Sequence, residues 1–289
     1  EAAHDSNGSK AICRVSNVHP SPSPDPRRSA NHQVHSSMNR ILFVCGLPLI
    51  LLTTFAMSQT PYDRKAKIDE LKAKEPSSEA KERKQKSVEQ LKKEGVPFIE
   101  HLPVIEDSAE AKKRTVEAVA HRAIAVVIAV VKGEGLDQPT VDSLVKKYGA
   151  DKFFSPEEAA FIKDASPNLP DRIKFSWRYE CAWVLLWSLG YVDTLTKPEG
   201  ICDVPKLVGI LRDRDTAQFI ADAKLRPFDQ ILDQADLIYR YHWATTDARV
   251  KNQPAPAKLE GGVVQERHYV LNWLIGYMDQ AWDDISTDT

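Results

Sequence analysis

The chain has 289 residues, of which 42% are hydrophobic and 28% are charged, and its formal net charge is −2. This composition is too apolar for a chain that is disordered throughout, and the charge balance lacks the basic excess typical of nucleic-acid-binding proteins. The length is sufficient for one or two domains with a sizeable hydrophobic core.

The first segment, residues 1–37, is rich in Ser, Pro, Asn and His and shows no apolar periodicity. We expect it to be disordered. The first methionine is Met38, and an export signal follows it. We therefore interpret residues 1–37 as non-native upstream sequence and Met38 as the true start.

Residues 38–58 have the layout of a signal peptide. Arg40 supplies a positive charge, an apolar run covers residues 41–56, and small residues end the segment where a signal peptidase would cleave. We expect export to the periplasm or the cell exterior. The alternative is an uncleaved anchor through residues 41–56, although this run is short for a bilayer span of about 20 residues.

Residues 59–95 are rich in charged side chains and poor in apolar ones, and Pro76 interrupts them. Such a charge run is typical of a solvated surface. We predict an exposed, partly helical spacer over residues 59–95 and a folded domain over residues 96–289.

Helical periodicity predicts the elements of this domain. A long helix with a buried centre at residues 123–131 ends at Gly133, and a shorter helix ends at Gly149. The next helix begins with a capping box formed by Ser155 and Glu158.

Four further helices are predicted at residues 171–190, 203–215, 226–249 and 261–282. No segment shows the alternation of apolar and polar residues that is typical of strands. The predicted fold is therefore all-α, a single multi-helix globular domain of about 200 residues.

Cys181 and Cys202 are the only cysteines after the predicted signal segment. They could form a disulfide in an oxidising compartment, but two separate buried thiols are the favoured interpretation, since Cys181 lies inside an apolar helical pattern.

Three predicted helices carry ionisable side chains on largely apolar faces. The residues that recur at helical spacing are Trp177, Glu180, Val184 and Trp187; Asp233, Asp236, Arg240, Trp243 and Asp247, with His242 alongside; and Glu266, Val270, Trp273 and Tyr277. A buried charge without a partner costs several kcal/mol, so we expect opposite charges to converge. The predicted network contains Arg178, Glu180, Asp233, Asp236, Arg240, His242, Glu266, Arg267 and His268.

Glu266, Arg267 and His268 are consecutive, and consecutive helix residues point about 100° apart. They therefore cannot all reach one position. We expect at most two of them in the network, namely Glu266 with either Arg267 or His268.

The same helices resemble a known family. The segments WRYECAWVLLWSLG, ILDQADLIYRYHWATTDAR and VVQERHYVLNWLIGY, followed by WDDISTDT, are similar in order and spacing to the bacterial domain-of-unknown-function family 4272. The upstream LKKEGVPFIEHLPVIEDSAE and SPEEAAFI extend the resemblance to residues 83–289. It implies an α-helical domain and no particular reaction.

Two functions are compatible with these residues. The favoured one is a non-enzymatic binding or interaction domain, in which the Glu/Arg/His network fixes helix packing. The alternative is a hydrolase-like enzyme that uses Glu180 or Glu266 as general base, with His242 or His268 nearby.

We predict no metal site and no cofactor, because the ERH triplet lacks Glu-x-x-His spacing and the sequence has no HExxH motif or Gly-rich phosphate loop. The expected partner is a protein or a small molecule, not nucleic acid, and a membrane only if the signal segment is retained.

Six tryptophans could line a ligand cleft, although core packing is favoured for most of them. They are Trp177, Trp183, Trp187, Trp243, Trp273 and Trp282. In the C-terminal WDDISTDT, we expect Trp282 to dock on the domain and an Asp to pair with an Arg.

Overall fold

A computed structural model of the protein describes residues 65–66, 69–70 and 74–289. The expectations for residues 1–58, disorder and a signal segment, lie outside these residues. Within them the chain is all-α, as predicted. The helices are α1 (Ser78–Glu94), α2 (Val116–Gly133), α3 (Gln138–Tyr148), α4 (Pro156–Lys163), α5 (Leu169–Trp177), α6 (Tyr179–Ser188), α7 (Val204–Arg212), α8 (Thr216–Asp222), α9 (Phe228–Val250) and α10 (Gly261–Ile275). Short 3-10 turns lie at Ala150–Lys152, Pro256–Lys258, Tyr277–Asp279 and Trp282–Asp284.

Helix α2 forms the centre of the domain. Ile124 and Val126 have no exposed surface, and Ile128 is 1% exposed. Helices α3, α4, α5, α6 and α8 pack around α2. Because each fully buried Val or Ile side chain contributes about 1.5–3 kcal/mol, this helix is a large part of the hydrophobic stabilisation.

From α6 the packing continues through α10 and α9 to α1, each helix lying against the next. Helix α10 therefore contacts α6 on one side and α9 on the other. This position matters for the site, because α10 carries the Glu266–Arg267–His268 triplet.

Helix α1 lies within the predicted spacer over residues 59–95 but is packed on the domain. Helix α1 packs on α9, and its Leu91 has no exposed surface. Ala80 and Val88 are also buried on the same helix. The apolar stripe of α1 is narrow and its other faces are charged, which is why composition indicated a spacer.

The predicted helix over residues 171–190 is two helices. The break is at Arg178, whose backbone N–H donates to Phe175 O, three residues back, in a tightened turn. The second helix stops near Gly190, as predicted, with that glycine at φ 81°. A Cβ there would lie 2.9 Å from Lys224 O, so a larger residue would be obstructed as well as strained.

Several helix ends agree with the sequence pattern. Gly149 ends α3 in the left-handed region, and Ser155 and Glu158 form both bonds of the capping box of α4. Helix α10 ends at Ile275, however, and not at residue 282, because Gly276 takes a left-handed conformation. Helix α8 was not predicted. No helix in the described part of the chain has the length and apolarity that a membrane crossing needs.

Candidate functional site

Glu180 and Arg267 form a buried ion pair between α6 and α10. Arg267 Nε donates to Glu180 Oε2 at 3.0 Å, and the two side chains are 4% and 2% exposed, respectively. The second carboxylate oxygen of Glu180 accepts the backbone N–H of Cys202 at 2.5 Å. Arg267 Nη1 also donates to Thr196 O at 2.7 Å. Both oxygens of Glu180 are therefore occupied.

Glu266 pairs with Arg178, at the break between α5 and α6. Arg178 Nη1 lies 3.0 Å from Glu266 Oε2, and the guanidinium stacks over the Tyr269 ring at 3.7 Å. The Cys181 thiol donates to the same carboxylate at 3.1 Å. Burial, followed by the Glu266 charge, raises the pKa of Cys181, so this thiol is protonated and not a nucleophile.

Asp236 and Arg240 form a two-point pair on α9. Arg240 Nε and Nη2 reach the two Asp236 oxygens at 2.8 and 2.7 Å, and both side chains are almost fully buried. Arg240 also donates to Pro103 O at 3.3 Å. Asp233, one turn earlier, accepts from Arg83 of α1 at 3.1 Å.

His242 and His268 contact each other through their Nδ1 atoms at 2.8 Å. Burial lowers the pKa of His242 to about 4, and the positive charge of Arg249 acts in the same direction. Burial and the neighbouring His242 also lower the pKa of His268. Both imidazoles are therefore neutral at neutral pH, with one Nδ1 donating to the other.

The predicted single network is thus a set of separate pairs. Glu266, Arg267 and His268 bind Arg178, Glu180 and His242, respectively. The expectation that at most two members of the triplet would be used is wrong. The 100° argument itself holds, because the three side chains point to three different neighbours.

The two cysteines are free, and Cys181 is buried while Cys202 is partly buried. The favoured interpretation of two separate thiols is confirmed. Within residues 65–66, 69–70 and 74–289, no three His, Cys, Asp or Glu side chains converge as a set of metal ligands.

The tryptophans mainly pack in the core. Trp183, Trp187, Trp273 and Trp282 are buried, whereas Trp177 and Trp243 are partly buried. Trp282 docks as predicted: Arg122 stacks on it at 4.6 Å, and Trp273 meets it edge to face. Asp283 accepts the backbone N–H of Glu157 at 3.0 Å, where an arginine partner was expected. This contact places a negative charge at the start of α4.

Two cavities lie along one side of α9, and Arg267 and Asp233 of the ion pairs are among their lining residues. One has a volume of about 100 Å³ and lies between α1, α9, α10 and residues 195–198. The other, of about 230 Å³, adjoins it near the start of α9. Both are lined by Leu195 and Gln234, so we treat them as one depression, the α9 groove.

We call residues 193–198 the strap. The other lining residues are Gln90, Glu94, Leu237, Ile238, Tyr241, Arg267 and Leu271 in the first cavity, and Trp187, Arg226, Gln230 and Asp233 in the second.

Most charged groups of the α9 groove already have partners. Tyr241 donates to Glu94 at 2.5 Å. Lys197 binds Glu199 and Ala257 O, at 3.0 and 2.6 Å. Arg226 donates to three backbone carbonyls of α6 and the segment after it, at 2.7 to 2.8 Å. The cations of the groove are therefore engaged, whereas the Asp193 carboxylate and Asp233 Oδ2 have no partner among the described residues.

Residues that line this groove carry unused hydrogen-bonding groups. The backbone N–H groups of Thr194, Leu195, Thr196 and Lys197 have no hydrogen-bond partner among the described residues. The Gln234 carboxamide likewise has none there. Sequence reasoning missed the strap, because its short run DTLTKP has no period and no motif.

The two carboxylates predicted as general bases are held in ion pairs. Both oxygens of Glu180 are bound within the protein, and Glu266 Oε2 is bound by an arginine and a thiol. Taking up a substrate proton would cost either carboxylate its ion pair. The described surface also offers a groove lined by residues with free backbone N–H groups and a free carboxamide.

A family model described as "Domain of unknown function (DUF4272)" matches residues 83–285. No curated protein and no solved structure matches the chain.

Proposed function

The chain belongs to the DUF4272 family, whose description names no activity, and we propose that its helical domain is a non-catalytic interaction module that binds a partner in the α9 groove. The observation that carries the proposal is the contrast between two regions. The conspicuous charged residues are paired and largely buried, while the groove keeps the N–H groups of the strap and the Gln234 carboxamide free.

The hydrolase alternative has less support. It needs a carboxylate or imidazole that reaches a cavity with a free lone pair. Glu180 is 1% exposed and its oxygens are occupied, and Glu266 is held by Arg178. The His242–His268 pair does not line the α9 groove.

We further propose that this module acts after export, in the periplasm or outside the cell. The support is the sequence of residues 38–58, with a positive charge, an apolar run and a cleavable end. If the segment is retained, the same domain would be held at the membrane by residues 41–56.

Site-directed photo-crosslinking tests the groove. A photoreactive amino acid placed at position 90 of the full chain, in cells of the organism that encodes it, should give one adduct of defined mass, because Gln90 is an exposed residue that lines the groove. The matched control places it at Gln85, an exposed glutamine of the same helix outside the groove. No adduct from position 90, or the same adduct from both positions, would reject the proposal.

A second arm separates binding from catalysis. The change Glu266→Gln in the crosslinking chain should leave the adduct intact. This substitution removes the carboxylate that a hydrolase would use, and Glu266 does not line the groove. An adduct that accumulates only in the Glu266→Gln chain would instead indicate a trapped substrate, and thus an enzyme.

A further inference from the structure

We propose that the partner enters the α9 groove as an extended polypeptide segment, which pairs its backbone with the strap on one side and with glutamine carboxamides on the other. This inference rests on the proposed function, and it names the chemical class of the ligand.

The strap has an open backbone edge. Thr194–Lys197 contains no helix, turn or bend, and its four successive N–H groups are without partners in the described structure. The carbonyls of Thr194 and Leu195 also accept no hydrogen bond there. In an extended segment successive N–H groups point to alternate sides, so those of Leu195 and Lys197, or of Thr194 and Thr196, share one edge. An edge with free donors and acceptors beside a groove is the arrangement to which an extended peptide adds as a further strand.

The strap is also held in position by bonds to its carbonyl groups. Arg226 donates to Asp193 O at 2.7 Å, Arg267 to Thr196 O at 2.7 Å, and the Glu260 backbone N–H to Pro198 O at 2.8 Å. These bonds fix its two ends and its middle. The free edge is therefore pre-organised, which reduces the entropy lost when a ligand binds.

The helix side of the groove suits the repeat of an extended chain. Gln230 and Gln234 are four residues apart on α9, a separation of about 6 Å along the axis. Every second residue of an extended chain recurs at about 6.6 Å. A carboxamide carries donors and an acceptor, so Gln234 can satisfy both the N–H and the C=O of a peptide unit. Gln230 Oε1 lies 3.5 Å from Arg226 Nη1, and its NH₂ group remains to bind a peptide C=O.

Size and charge favour this ligand over others. The two cavities, of about 100 and 230 Å³, are smaller than typical small-molecule pockets of about 300–1,000 Å³, but each accommodates one or two side chains. Because Lys197, Arg226 and Arg267 are already bound by groups of the protein, an anionic ligand would gain no free cation there. Recognition of a peptide backbone does not require a free cation.

Peptide selection on the full-length protein tests the inference. The probe is a phage-displayed library of random linear peptides, and an enriched peptide is then measured by fluorescence anisotropy. We expect Gln234→Leu to weaken its binding at least tenfold and Gln85→Leu to leave binding unchanged. Amides of Thr194–Lys197 should also exchange more slowly with solvent deuterium once the peptide is bound.

The outcomes separate this inference from the proposed function. If position 90 crosslinks a partner but the adduct resists proteases, the groove binds a non-peptide ligand, and only the present inference fails. If an enriched peptide binds Gln234→Leu as well as the wild type and leaves the strap amides unprotected, the peptide inference is also rejected. Absence of any adduct at position 90 rejects both.

Discussion

The histidine pair makes the stability of the protein sensitive to mild acid. His242 and His268 touch through their Nδ1 atoms, and burial lowers both pKa values, that of His242 from 6.5 to about 4. In the unfolded chain both imidazoles titrate near 6.5. Above pH 6.5 they are neutral in either state. Below it the unfolded state takes up protons that the folded state does not, so stability falls as the pH falls toward 4.

The size of the effect follows from the shifted pKa of His242. At 1.36 kcal/mol for each pH unit, its contribution is a loss of about 2 kcal/mol by pH 5 and of about 3 kcal/mol near pH 4. The lowered pKa of His268 adds to the loss. That of His121, lowered by burial, acts in the same direction, whereas Glu158, whose pKa burial raises, acts against it.

A single substitution separates the pair from these other groups. We expect His242→Gln to remove about 2 kcal/mol of the difference in unfolding free energy between pH 8 and pH 5. The measurement is urea unfolding of the full chain, followed by tryptophan fluorescence at several pH values. Equal pH slopes for the wild type and the variant, or an NMR titration of His242 near 6.5, would refute the reasoning.

Three further substitutions have expected outcomes that thermal or urea unfolding measures. Glu266→Ala leaves its arginine partner largely buried without a countercharge and should lower the unfolding free energy by about 3 kcal/mol; an unchanged melting temperature would contradict the ion-pair geometry. Gly262→Ala places a Cβ 2.6 Å from the Trp177 ring and should cost about 2 kcal/mol, whereas Gly261→Ala, with open space around it, should cost much less. Tyr241→Phe loses the hydrogen bond to a glutamate of α1 and should cost about 1 kcal/mol; a neutral result would mean that water replaces the bond.

Rules that depend only on neighbouring residues predicted the buried centre of α2 and several helix ends. The buried centre of α2 was evident from nine consecutive apolar residues, 123–131. The capping box of Ser155 and Glu158 and the stop at Gly149 were also predicted, since caps depend on residues within one turn. The break at Arg178 was not predicted, because the helical periodicity continues through this residue.

The candidate site was also predicted only in part: burial was predicted, but the pairing of charges was not. Periodicity correctly indicated that Glu180, Asp236 and Arg240 lie inside the domain. It could not assign partners, because pairing depends on how α6, α9 and α10 are placed in space. Periodicity could not predict the α9 groove for a different reason. The strap contributes backbone groups to the groove, and backbone groups do not appear in the pattern of side chains.

Helix α10 uses three adjacent residues to hold three different neighbours: Glu266 holds Arg178, Arg267 holds Glu180, and His268 holds His242. Relatives that replace one member of this tripeptide should carry a compensating replacement at its own distant position, and not at the other two. Comparative sequence alignments should therefore contain three independent covarying couples that start from consecutive columns. The tripeptide would then serve as a diagnostic by which subgroups of the family are told apart.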